Sequence, residues 1–218
     1  MTVAGAPADK ASRLVAPDEP LQLAGDRPRF LSRGGDKLDA ALDRFAIDVG
    51  GQRALDAGAS TGGFTDCLLQ RGADHVVSVD VGRAQLHERL RHDPRVTVLE
   101  RTNARHLTLG AVGGRPFAIV TADLSFISLR TVATALLGVA ADSADLVLLV
   151  KPQFEAGRAE ASRGRGVIRD PTVWDRAVED VVAAYGAHGA VMMDSMQSPI
   201  TGADGNVEFL LHLRKAAA

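Results

Sequence analysis

Short apolar runs separated by amphipathic stretches and turn residues give this chain an alternating strand and helix signal. That is the pattern of a mostly parallel sheet covered on both faces by helices. A helix is predicted from about Gly35 to Phe45, then a buried strand at Arg53 to Ala57 and a helix from about Phe64 to Gln70. His75 to Asp80 forms the second strand run, with a helix around Gln85 to Leu90 and a third apolar run at Val96 to Glu100. Phe117 to Ala122 is a strand ahead of Asp123, Leu129 to Val139 a helix, and Asp145 to Val150 a buried strand ending at Lys151. Pro152 to Asp170 is a long loop with Gly157, Gly164 and Gly166, and loops of that length in compact domains are often functional. Pro171 opens a helix to about His188. Ala190 to Met196 and Val207 to Leu213 follow with only the turn-rich Ser198 to Asn206 between them, so the sheet is expected to finish with an antiparallel hairpin. The chain shows no internal repeat.

The stretch Leu55-Asp56-Ala57-Gly58-Ala59-Ser60-Thr61-Gly62-Gly63-Phe64-Thr65-Asp66 changes the picture from architecture to chemistry. A buried strand ends in an acidic residue and breaks straight into glycines, which allow tight turning and close approach of backbone to a ligand. The spacing is not G-x-G-x-x-G, so a dinucleotide is disfavoured. S-adenosylmethionine carries no phosphate and asks such a loop to hold an amino-acid carboxylate and ammonium; Asp56 and the glycine backbone suit that task. A glycine-rich turn after a strand is also a common structural corner. Asp80 tips the balance, because a carboxylate at the end of the second strand can accept both ribose hydroxyls of an adenosine. Asn103 stands where an amide would reach the adenine edge or, equally, cap the next helix.

Composition narrows the class. The 218 residues are 46% apolar, enough to bury one full α/β core. One cysteine, Cys67, excludes an intramolecular disulfide framework and fits a reducing compartment, and Met1 to Phe30 has no apolar segment for a signal peptide or a membrane span. A cytoplasmic location is the expectation. The net charge of −2 disfavours nucleic-acid binding by bulk electrostatics. The charge is uneven, however: Arg158, Arg163, Arg165 and Arg169 oppose only Glu160 in one glycine-bearing stretch, a local basic patch for a polyanion. The six histidines show no metal-ligand spacing, no G-x-S-x-G elbow is present, and no metal is expected. Phe64, Phe126 and Phe154 are read as core or pocket-wall residues before stacking platforms.

Four polar residues stand at strand ends or beside apolar runs. Lys37 precedes the first helix, Asp123 follows the fourth strand, Lys151 follows the fifth, and Glu208 opens the last. Residues at strand C-termini of an open α/β sheet face the ligand crevice, which qualifies Asp123 and Lys151 on position alone. Methyl transfer to an alcohol needs a base for the hydroxyl proton, and a buried lysine assisted by a second lysine and two carboxylates can supply one. As isolated residues, each could equally be a surface salt-bridge partner.

The chain resembles the TlyA group of the FtsJ-like ribose methyltransferases over nearly its whole length. The matching residues run from Ser32-Arg33-Gly34-Gly35-Asp36-Lys37-Leu38 through the glycine loop to Leu99-Glu100-Arg101-Thr102-Asn103-Ala104-Arg105. They continue with Asp123-Leu124-Ser125-Phe126-Ile127-Ser128-Leu129, Val150-Lys151-Pro152-Gln153-Phe154-Glu155-Ala156-Gly157 and Gly205-Asn206-Val207-Glu208-Phe209-Leu210-Leu211. The resemblance implies a class I S-adenosylmethionine-dependent methyltransferase, Rossmann-like, with a seven-stranded, mostly parallel sheet. It implies a Lys-Asp-Lys-Glu tetrad at Lys37, Asp123, Lys151 and Glu208. The cofactor contacts then fall on Asp56, Gly58, Ser60, Thr61, Gly62, Gly63, Phe64, Asp80, Val81, Asn103, Ala104 and Asp123. RNA contacts fall on Arg33, Arg158, Arg163, Arg165 and Arg169, and the implied reaction is methylation of a ribose 2′-hydroxyl, usually on ribosomal RNA.

Two departures accompany the likeness. The family carries an N-terminal RNA-binding domain, whereas residues 1–30 read here as a stub and linker before a methyltransferase domain at 31–218. Gly82-Arg83-Ala84-Gln85-Leu86 replaces the family's Gly-Tyr-Gly-Gln-Leu-like stretch. Two other functions compete: a methyltransferase with a small-molecule or peptide acceptor, and a noncatalytic or membrane-active protein, since relatives have been labelled haemolysins. The absent apolar span and the complete tetrad speak against the last.

Overall fold

The computed structural model describes residues 2–8, 10, 12–22, 28–157, 160, 166–202 and 204–217. Thr2–Val3 (β1), Ala6–Pro7 (β2) and Leu21–Gln22 (β3) pair antiparallel in the order β2-β1-β3. The stub expected before residue 31 therefore holds a small sheet of two-residue strands. Each such strand is too short to show as an apolar run.

Helix α1 (Arg33–Phe45) starts where Ser32 accepts a hydrogen bond from the Gly34 amide, and it ends where Ala46 turns left-handed (φ 52°) and its N–H reaches back to the Asp43 and Leu42 carbonyls. Asp36 in its first turn and Arg44 in its last suit the helix dipole. Its inward stripe is Leu38, Ala41, Leu42 and Phe45, with Lys37 beside them.

The main sheet consists of β4 (Arg53–Ala57), β5 (His75–Val79), β6 (Val96–Leu99), β7 (Phe117–Ala122), β8 (Ala140–Val150), β9 (Ala190–Gln197) and β10 (Phe209–Lys215), in the order β6-β5-β4-β7-β8-β10-β9. Strands β4 to β8 pair in parallel, and β10 inserts antiparallel between β8 and β9. The expected seven strands and terminal hairpin are present. Alternate residues of each strand feed two cores. On one side Leu38, Leu42, Phe64 and Leu68 of α1 and of α2 (Gly63–Gln70) cover Ala54, Val76 and Leu149. On the other, Leu136 of α4 (Ala133–Val139) and Val181 and Tyr185 of the long helix Pro171–Gly186 cover Leu55, Val77 and Leu148. Burial on both faces explains why the strands read as continuous apolar runs.

Several boundaries differ from the sequence reading, among them α1, which starts at Arg33, the last strand, which starts at Phe209, and the helix expected from Leu129, which opens with a 3-10 turn to Val132. Only Glu88–Arg91 (α3) is helical in the stretch expected at Gln85 to Leu90, because Ala84 is left-handed (φ 53°) and His87 Nδ1 caps a later start by accepting from the Arg89 amide. Strand β8 begins five residues before Asp145, since α4 runs directly into it and the pairing with β7 shifts register between Phe117 and Ile119. The loop after Lys151 opens with one helical turn, Pro152–Glu155 (α5), which Pro152 starts; Pro171–Gly186 becomes α6.

The order of strand addition reverses between β4 and β7: β5 and β6 extend the sheet on one side of β4, and β7 and β8 on the other. The crevice outside these strand ends is the place where open α/β sheets bind ligands. Asp123 N–H bonds the Ala57 carbonyl at 3.0 Å, and the two loops lie so close that a Cβ on Gly58 (φ 88°) would run into the Asp123 carbonyl oxygen. Gly58→Ala is expected to cost about 1–3 kcal/mol from backbone strain alone, with a further loss from the collision, read as a lowered urea midpoint. An unchanged midpoint would show that the two loops are free to separate.

Candidate active site

Four elements bring Lys37, Asp123, Lys151 and Glu208 to one cavity of about 350 Å³. Lys37 does not precede the first helix: it sits on the buried face of α1, inside the range from about Gly35 that the apolar pattern already reads as helix, and Ser32 starts that helix earlier still. Its ammonium pairs with Glu208 at 2.5 Å, and both side chains are buried. Glu208 ends the loop before β10 instead of opening the strand, and its carboxylate fills space that a side chain at Gly202 would take. Lys151, directly after β8, pairs with Asp123 at 2.6 Å and donates to Ser125 Oγ at 3.0 Å. Arg33, Gly58, Ser60, Thr61, Gly63 and Phe64 line the same cavity. Two lysines and two carboxylates leave the four groups with no formal net charge.

A second cavity of about 550 Å³ meets the first at Gly58, Ser60 and Asp123. Asp80, Val81, Asn103, Ala104, Arg105, Leu124 and Phe126 are among its walls. The Asp80 carboxylate is pinned from behind, one oxygen accepting the Ser60 amide at 2.8 Å and the other the Gly82 amide at 2.7 Å. Each oxygen keeps a lone pair for a ligand hydroxyl. Asn103 resolves to the capping alternative: Oδ1 accepts the Arg105 amide at 3.0 Å, while the residue still walls the cavity. A pocket of this size, with a paired-oxygen acceptor and small-residue backbone leading to the charged cavity, fits an adenosine carrying an amino-acid arm.

Two residues expected to touch the cofactor line neither cavity. Asp56 is fully buried beneath the loop: Thr65 Oγ1 donates to its Oδ2 at 2.6 Å and meets Ser78 Oγ at 2.7 Å. Strand alternation turns this side chain toward α2 instead of the crevice. Gly62 (φ 99°) caps α2, and a Cβ there would enter the Leu86 and Leu90 side chains, so its constraint comes from packing. Arg169 is exposed and walls neither cavity, while Arg158, Arg163 and Arg165 lie outside the described residues. Sequence reasoning missed Ser125 and Gly202. Ser125 lies two residues after Asp123, but no spacing rule distinguishes its hydroxyl from that of a surface serine. Phe126 is 91% exposed with a left-handed backbone (φ 64°), 5.2 Å from the Phe154 ring centroid. Of the core and pocket-wall roles expected for it, it takes the second, in the wall of the Asp80 cavity.

The model of the family described as FtsJ-like methyltransferase matches residues 30–215. The chain belongs to this family. It is 52% identical over 211 residues to the 16S/23S rRNA (cytidine-2′-O)-methyltransferase TlyA of Mycobacterium tuberculosis, covering 96% of this chain and 78% of that protein. A solved structure of a hemolysin candidate from Streptococcus thermophilus superposes with a TM-score of 0.84 at 41% identity, covering 91% of this chain and 71% of the other. The N-methyltransferase NodS of Bradyrhizobium japonicum, at 16% identity and a TM-score of 0.58, covers 84% of this chain and 97% of the other, and shares the fold alone. Among the described residues no helix is long and apolar enough to cross a membrane, and no group of His, Cys, Asp or Glu could hold a metal ion.

Burial raises the Asp56 carboxyl to about 7, with the Thr65 hydrogen bond opposing and the charge of Asp123 adding to the rise. A carboxyl whose folded value lies above its unfolded one favours folding most in the acid form. Its contribution is complete below about pH 4 and is lost as pH rises through 7. Asp56→Asn should therefore remove a decline of up to about 4 kcal/mol between pH 4 and 7. Urea unfolding of both proteins across that range checks it. Parallel pH dependence in the two would place the ionised form in the native fold.

Proposed function

We propose that this chain methylates a ribose 2′-hydroxyl of ribosomal RNA with S-adenosylmethionine as donor. The observation that carries the reading is the junction of the two cavities. The cavity with Asp80 and the one that holds Lys37, Lys151 and Glu208 lie side by side and share Gly58, Ser60 and Asp123 as wall residues. The 2′-O-methylation named for the M. tuberculosis relative, with 52% identity along 96% of the chain, agrees with it.

Bound cofactor would supply a sulfonium methyl, which an alcohol oxygen can attack once its proton has somewhere to go. Lys151, once its own ammonium proton has left to solvent, takes the alcohol proton, and Asp123 holds the ammonium that is formed again. The buried Lys37–Glu208 pair offers a donor and an acceptor to the ribose and fixes its orientation. Asp80 accepts the adenosine hydroxyls. The Phe126 ring, held outward by its own backbone at the rim, offers a face for a nucleobase, while Arg33 in the first turn of α1 faces the phosphates. A net charge of −2 places the burden of RNA binding on such local groups.

Transfer of labelled methyl from S-adenosylmethionine onto ribosomal subunits, followed by mapping of ribose methylation, tests the reading. A modified 2′-hydroxyl supports it. Label appearing only on small molecules or peptides would replace the acceptor class.

Two variants test the residue roles. Asp80→Ala should weaken the cofactor by about 1.5–3 kcal/mol by titration calorimetry, because hydrogen bonds to a charged acceptor are lost. An unchanged Kd would remove Asp80 from the site. Lys151→Ala should lower turnover about 10²–10⁴-fold while cofactor affinity stays within about twofold, and Lys151→Arg should fail as well, since a guanidinium does not give up its proton. Wild-type rates in Lys151→Ala would transfer the base role elsewhere.

A further inference from the structure

Behind the charged cavity, outside both cavities described above, Glu155 joins the two loops that carry Asp123 and Lys151. It closes the single turn α5, four residues after Lys151, and is 4% exposed. One carboxylate oxygen accepts the Leu129 amide at 2.7 Å; the other accepts the Ser128 hydroxyl at 2.5 Å and lies 3.3 Å from the Arg130 guanidinium. Arg130 also donates to the Glu155 carbonyl oxygen at 2.9 Å and to Asp180 of α6 at 3.2 Å. Ser128, Leu129 and Arg130 lie at the far end of the segment that begins with Asp123 and Ser125. The two segments leaving β7 and β8 thus have polar ties at two places, in the cavity by Lys151 with Asp123 and Ser125 and behind it by Glu155, besides the Phe126–Phe154 ring contact.

We infer that Glu155 is a positioning residue: its clamp on Ser128 and Leu129 sets where the Lys151 amine stands relative to Asp123 and Ser125. The inference rests on the functional reading above for its kinetic part alone. Several features point the same way. The helical turns of the two segments do not pack directly on each other, since α5 is one turn and Phe126 has a left-handed backbone; each packs instead on α6, and the Glu155 carboxylate is what joins them side by side. A carboxylate buried at this cost, with three donors converging on it, is retained where a Leu of similar size would avoid the desolvation. The segment it restrains also holds the Phe126 and Phe154 rings together. A shift of about 1 Å in a reacting group can cost on the order of 10²-fold in rate.

The test uses the full chain with Glu155→Gln, which keeps shape and one acceptor oxygen but not the charge, and Ser128→Ala, which removes one donor and serves if the first variant does not fold. Turnover should fall by about 10- to 100-fold in Glu155→Gln and less in Ser128→Ala. KM for RNA and Kd for S-adenosylhomocysteine should stay within about twofold. A second readout needs no RNA. Acylation of Lys151 by acetic anhydride, followed by mass spectrometry, should speed up several-fold in the variants relative to Lys215, whose amine bonds the Ala140 carbonyl at the opposite end of the sheet. Faster labelling of Lys151 with no RNA methylation even by the wild-type chain would sink the acceptor assignment while sustaining the clamp. Unchanged turnover and unchanged Lys151 labelling in a folded variant would reduce Glu155 to a structural ion-pair member, and so would an equal rise in Lys215 labelling.

Discussion

The structure depends on the contact between the loops that leave β4 and β7. Parallel strands place their C-terminal ends on one edge, and reversal of strand order between these two puts the ligand crevice of such a sheet there. Here the two loops remain within hydrogen-bond reach through the Asp123 amide and the Ala57 carbonyl, and Gly58 is the residue that allows it. Asp123 thereby stands at the wall shared by both cavities. A separation of these loops would part the place that suits an adenosine from the groups that suit a ribose.

Charge in this site is organised in pairs. Lys37 with Glu208 and Lys151 with Asp123 are each close enough to offset part of their desolvation, so four ionisable groups can share a small cavity in a chain of nearly neutral net charge. The pairs differ in setting. Lys37 and Glu208 are locked between α1 and the loop before β10, out of water. Lys151 and Asp123 sit on the segments after adjacent strands, with Ser125 as a further partner and Glu155 behind them. The first pair suits fixed orientation; the second suits a proton that must arrive and leave.

How much of this was legible in the sequence follows from what each signal measures. Apolar runs report burial, so strands buried on both faces and their order along the chain were readable, as was the placement of Asp123 and Lys151 at strand ends. The Asp80 position followed from the same rule. Side-chain direction is not in those runs: Asp56 looked like a ligand-facing acid at a strand end, yet alternation sends it beneath α2 toward Thr65 and Ser78. Helix starts were displaced by capping, at Ser32 for α1 and at His87 for α3, and the apolar pattern did not show that Lys37 faces inward on α1. Gly62 shows a similar confusion, since a glycine required for packing against Leu86 and Leu90 cannot be told by sequence from one required by a ligand. Contacts between segments far apart in the chain, such as Glu155 with Ser128 and Leu129, leave no periodic trace at all.

The most direct test of the central claim, that one continuous site spans the β4 and β7 loops, is a crystal structure with S-adenosylhomocysteine. The account predicts the adenosine between Asp80 and Asn103, with both ribose hydroxyls on the Asp80 carboxylate and the sulfur at the Gly58 and Asp123 wall, open to Lys151. Adenosine density in any other groove, or a sulfur walled off from the Lys37 and Lys151 cavity, would contradict it.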